Sequence, residues 1–146
     1  MRDIQDLELY KNQWNTILLK NNNNNPFIEY EWIKHWWEYL GKYHELFVIV
    51  IRKNSEIIGF CPLMLTKKLM HKEVNFIGHS NTFYINLIIL NSFRRDANRE
   101  LTNYLISINK NYIFNIHGLA ENSDDFRNIE SYLKDKRHSL LICKLQ

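Results

Sequence analysis

The residues best suited to chemistry sit in the middle of this chain. His79 stands in Gly78-His79-Ser80-Asn81, between two apolar runs, where a turn at the end of a sheet is expected. An imidazole there titrates near neutrality and can take a proton from an amine as a general base. A turn histidine held by backbone groups is the commoner use of the residue. Tyr84 and Asn86 are spaced by two, which puts both on one face of the strand expected over 83–90. His117-Gly118, at the end of another strand-like run, is a weaker site of the same kind. Tyr30, Trp36 and Trp37 could line a substrate groove or an interface, although tryptophans at helical spacing more often fill a core. His35, His44, His71, His117 and His138 show no ligand spacing, so no metal centre is expected. Serine elbows, Walker loops and dinucleotide fingerprints are absent from the sequence.

The elements that must position these residues are legible from period and punctuation. The weak alternation of Ile4, Leu7 and Leu9 suggests a first strand over 4–10. Trp14, Ile17 and Leu18 mark one face of a helix over 12–20. The asparagine tract 21–25 and Pro26 then read as a solvated connector. A helix over 29–40 follows, stopped by Gly41, with Trp32, Trp36 and Tyr39 or Leu40 on one row and Ile33 and Trp37 on a second. A helix apolar over more than half its circumference is either wedged between two surfaces or leaves one face for a partner. Residues 46–65 form a β-hairpin around a polar turn at 52–56. Its first strand is continuously apolar, and its return strand is interrupted by Gly59 and Pro62, which signal a bulge or bend. Strands over 74–77 and 83–90, a helix over 96–109, a strand over 112–116, a helix over 124–134 capped by Ser123, and a strand over 139–145 complete the order.

That order predicts a single domain over 1–146 of the α+β class. Its central sheet is mixed and mostly antiparallel, with helices on both faces. The 146 residues are 45% hydrophobic and 24% charged, an ordinary globular balance. A net charge of +3, with lysines and arginines only in short groups such as Lys67-Lys68 and Arg94-Arg95, gives no reason to expect a nucleic-acid partner. Cys61 and Cys143 lie in apolar runs and read as buried reduced thiols. The first residues lack a signal-peptide pattern, and no apolar run reaches membrane-spanning length. A cytoplasmic, soluble protein without a membrane partner is the expectation.

Four motifs, in one order, carry a family resemblance. Asn25-Pro26-Phe27 before Tyr30-Glu31-Trp32 and Trp36-Trp37 resembles the aromatic helix of cellulose-biosynthesis-type and FemAB-like acetyltransferases, within the GNAT-like acyl-CoA N-acyltransferase superfamily. Ile57-Ile58-Gly59-Phe60-Cys61-Pro62-Leu63 resembles their second hairpin strand, and Val74-Asn75-Phe76-Ile77-Gly78 with Tyr84-Ile85-Asn86-Leu87 their next strand pair. The resemblance spans residues 26–133 and matches only the first half of a two-part family. It implies a GNAT-like fold and transfer of an acyl group from an acetyl-CoA-type thioester to a small amine. In that setting His79, or a water held by Tyr84 and Asn86, would handle the proton. Asn86 stands where the family has a carboxylate. Arg94 and Arg95 would contact the phosphates of acetyl-CoA, in a stretch, 91–99, that has no glycine where the family's cofactor loop has several. The competing reading is a non-catalytic, degenerate or truncated half acting as a binding or dimerisation module, as a homodimer or with a missing second half-domain.

Overall fold

The computed structural model describes residues 3–82, 84–108, 111–115, 118–120 and 122–135. The chain opens with two helices, α1 (Ile4–Glu8) and α2 (Lys11–Lys20), and not with a strand. Ile4 and Leu7 are three apart, as on a helix face, and the Asp3 side chain accepts from the Gln5 N–H at 2.9 Å, which caps the first turn. Leu9, the third member of the supposed alternation, is exposed. Helix α3 (Tyr30–Leu40) buries Tyr30, Ile33 and Trp36. Both expected rows turn inward only in part: Trp32 packs on Gly78 and Phe27 and Trp37 lies against Gly41 at the helix end, while Tyr39 and Leu40 are exposed.

The hairpin of β1 (Glu45–Lys53) and β2 (Glu56–Lys67) turns at Asn54 and Ser55, with Asn54 in the left-handed region at φ 55°. Ile51 pairs with Gly59 and Arg52 with Ile57, so Ile58 is an extra residue, and the interruption expected near Gly59 is a bulge. β2 is buried at eight consecutive positions, as a strand covered on both faces must be. Phe60 stacks on Trp14 of α2 at 4.8 Å. Neighbouring Cys61 points to the other face, where Asp125 adds to the burial that pushes its thiol pKa up.

The other edge of β2 is shared by two short strands. β3 (Lys72–Phe76) pairs with residues 63–67 and β4 (Ile88–Ile89) with Gly59 and Phe60, both antiparallel. Phe76 lies opposite Leu63 and Ile88 opposite Phe60, so residues 77–87 leave the edge and rejoin it three places along. Pro62 falls in the gap. Its carbonyl accepts from the Ile77 N–H at 2.9 Å, and the N–H it lacks would have pointed where the ladder is already broken. The strand expected over 83–90 is therefore only Ile88–Ile89.

Helix α4 (Arg94–Ile108) crosses to β5 (Tyr112–Phe114), which runs parallel to β3, and α5 (Asp124–Asp135) packs on α4. The Ser123 hydroxyl accepts from the Phe126 N–H at 3.1 Å and caps α5 as expected. Among the described residues this is an α+β fold with a mixed, mostly antiparallel sheet of five strands. No described helix is long and apolar enough to cross a membrane. The strand expected over 139–145, with Cys143, lies outside the described residues.

Candidate functional site

Residues 84–87 make no ladder, because side chains and loops take the backbone groups a neighbouring strand would have used. The Asn25 amide donates to the Tyr84 carbonyl at 3.0 Å, the Ile85 N–H donates to the Gly118 carbonyl at 2.8 Å, and the Leu87 N–H donates to Asp125 at 3.3 Å. Burial still alternates, with Ile85 and Leu87 inward, so Tyr84 and Asn86 keep the shared outward side that their spacing predicts.

The asparagine tract is the first clamp on this segment. Asn22 takes the left-handed conformation at φ 51°, which turns the chain back after α2. Asn21 then uses its amide as a strand would use its backbone: Nδ2 donates to the Ile89 carbonyl at 2.7 Å and Oδ1 accepts from the Asn91 N–H at 3.1 Å. Asn23 Oδ1 accepts from the Asn25 N–H, and Asn25 Oδ1 from the Phe27 N–H, both at 3.0 Å. The tract expected to be a solvated connector is thus a clasp over the start of α4.

Asp125 is the second clamp. Its carboxylate, 2% exposed, receives Arg94 Nη1 at 2.7 and 2.8 Å, the Asn98 amide at 2.9 Å and the Leu87 N–H. Arg94 also donates through Nη2 to the Ile89 carbonyl at 2.9 Å and through Nε to Asn91 Oδ1 at 3.2 Å. Its guanidinium is engaged by this protein's own groups. The sequence signal for Asp125 is a carboxylate four residues before Ile129 on the apolar stripe of α5. Asn98 likewise stands on the α4 stripe between Arg94 and Leu101.

Between the two clamps lies a polar pocket of about 230 Å³, lined by Asn23, Asn86, Asn91, Arg94 and residues 123–125 at the start of α5. The Oδ1 atoms of Asn23 and Asn91 are both held by N–H donors, which fixes their amides and leaves each Nδ2 to donate. The N-terminus of α4 adjoins the pocket through Asn91 and Arg94, adding the positive end of a helix dipole. Asp124, an exposed carboxylate paired with Arg127 at 2.9 Å, supplies the acceptor. The arrangement suits a small polar group that has both an anionic or carbonyl oxygen and a donor.

The sequence candidates divide among three places. Asn86 and Arg94 line the pocket; His79, Tyr84 and Arg95 do not. Tyr84 is 64% exposed, and Arg95 is exposed at the start of α4. His79 is half-buried in the turn 78–81, its N–H donating to the Phe76 carbonyl at 3.2 Å. That turn is fixed by Gly78, at φ 82°, where a Cβ would stand 2.1 Å from the Trp32 ring. Trp36 donates to Asn81 Oδ1 in the same turn at 3.0 Å. Tyr30 is buried, 6.3 Å from Trp14, and burial, reinforced by Glu8, pushes its hydroxyl pKa up. Trp37 is half-buried against Gly41. His117 lies outside the described residues. Among the described residues no three metal-ligating side chains gather.

No family model, no curated protein and no solved structure matches this chain.

Proposed function

We propose that this chain is an N-acyltransferase-like domain of GNAT-like fold, bringing an acyl thioester of the acetyl-CoA type to a small amine. The reading rests on one observation. An antiparallel meander with an interrupted third strand leads through a helical crossover into a strand parallel to β3, and a donor-rich pocket opens beside the break, at the N-terminus of the crossover helix. Amide donors from Asn23 and Asn91, the helix dipole and the exposed Arg95 would receive phosphate or carbonyl oxygens of the donor. Tyr84 and Asn86 face outward next to the pocket and would orient the amine. His79, or a water held by Tyr84 and Asn86, would take its proton, and a backbone N–H near the interrupted edge would stabilise the tetrahedral oxyanion.

A specific observation favours the second reading, a non-catalytic binding or dimerisation module. Arg94 is engaged by Asp125, Leu87 and Ile89, Asn86 cannot accept a proton, and residues 91–99 offer no glycine for close approach to a pyrophosphate. The pocket volume also falls below the roughly 300 Å³ at which sites for larger ligands begin.

Calorimetric titration with acetyl-CoA, paired with light scattering and a thiol-release assay over a panel of amines, separates the two. The first reading expects a 1:1 isotherm weakened about ten-fold by Asn91→Asp, which sets a negative charge against the phosphates. A dimer that shows no heat with acetyl-CoA would establish the second.

A further inference from the structure

We propose that the tip of the β2–β3 hairpin is a contact for an anionic membrane surface, with Leu69 and Met70 entering the headgroup layer. The proposal departs from the expectation of no membrane partner and is independent of what the polar pocket binds. The tip is a tight turn closed by the Lys68 N–H donating to the His71 carbonyl at 2.9 Å. The central places of such turns normally carry glycine, asparagine, aspartate or proline, whose conformations and local hydrogen bonds suit them. Here they carry leucine and methionine, 100% and 86% exposed. Two adjacent apolar side chains held fully in water contribute nothing to the core, and a local rule broken in this way points to use at a surface.

Charge decides which surface. Lys67, Lys68, His71 and Lys72 bracket the pair in sequence, and Lys42 and Tyr43 reach the same end of the sheet, where His44 Nδ1 lies 2.9 Å from Thr66 Oγ1. Glu45 pairs with Lys72 at 2.7 Å, and Glu73 faces Lys68 at 3.4 Å and His71 at 3.8 Å. Four lysines against two glutamates leave this end positive. Lysine stems can lie along the apolar layer while their ammonium groups meet lipid phosphates. Tyr43, 82% exposed beside Lys42, is a side chain of the kind that settles at headgroup level.

Shape favours a bilayer over a protein partner. The tip offers two adjacent apolar side chains at the end of a two-stranded ladder, whereas a stable protein interface needs roughly 800 Å² on each side. It also leaves the pocket accessible. Phe60, which pairs with β4 near the pocket, is seven residues along β2 from Lys67, a distance of about 23 Å.

The test is sedimentation of the full chain with phosphatidylcholine vesicles and with mixed phosphatidylcholine–phosphatidylglycerol vesicles. Binding is expected to the mixed vesicles only and to weaken with salt. Leu69→Ser combined with Met70→Ser changes two exposed positions and leaves the core intact. This double substitution is expected to lower partitioning at least about ten-fold. Lys67→Gln is expected to lower it about five-fold. Absence of binding to mixed vesicles, or equal binding after the double substitution, would overturn the proposal. So would a lipid-free dimer that depends on Leu69 and Met70, since a second copy would then be the partner.

Discussion

Asp125 and Arg94 show how much two side chains can organise. Asp125 is withdrawn from water and Arg94 is half-buried at the pocket wall, and each holds backbone groups of the 87–91 segment as well as the other's charge. Removing one partner strands the other's charge in the interior, while replacing both with apolar groups does not. Asp125→Ala is therefore expected to lower stability by about 3–5 kcal/mol in urea unfolding, and Arg94→Met with Asp125→Leu by clearly less than the two single changes combined. His44 acts through protons. Burial, with the nearby positive charge of Lys68 adding to it, lowers its pKa below the ordinary value near 6.5. Between that ordinary value and the lowered one, the unfolded chain holds the extra proton and the folded chain does not. His44 thus favours folding fully above about pH 6.5 and progressively less as pH falls to the folded value, below which its effect is constant. Unfolding titrations are expected to show His44→Asn losing less stability than the native chain between about pH 6.5 and the folded value.

Elements are legible where their own pattern decides them and obscure where distant side chains do. The hairpin, its bulge near Gly59, α3, α4 and α5 follow from period, bulge residues and caps that lie within each element. The N-terminal segment misleads because Ile4 and Leu7, two of the three residues in the weak alternation, also satisfy a helix, and the Asp3 cap breaks the tie. The 83–90 segment has the composition of a strand, yet Asn25, Gly118 and Asp125 take its backbone groups, and none of them is near it in sequence. The same distance hides the candidate site. Asn86 and Arg94 are visible as residues, but the pocket is made by Asn23 and Asn91, the first of them in a tract that looks like a solvated loop. Asn21→Ala tests the clasp formed by that tract. Losing two hydrogen bonds to the main chain is expected to lower stability by about 1–3 kcal/mol and to speed amide hydrogen exchange at Asn91, measured by NMR.

At the scale of the whole molecule, β2 is the common neighbour of β1, β3 and β4, and its interrupted edge has a consequence in time. The β1–β2 hairpin closes over two residues, and β3 follows after a four-residue tip. β4 can be secured only when Asn21 and Asp125 arrive from positions 68 residues before Ile89 and 38 residues after Leu87. Contacts that close long loops bear the larger entropic penalty and tend to form after local ones. Folding should then proceed outward from the hairpin, with both clamps added after the rate-limiting barrier. On that order Asn21→Ala speeds unfolding and leaves the folding rate nearly unchanged, so the segment that lines the pocket is the last to be secured and the first to be released.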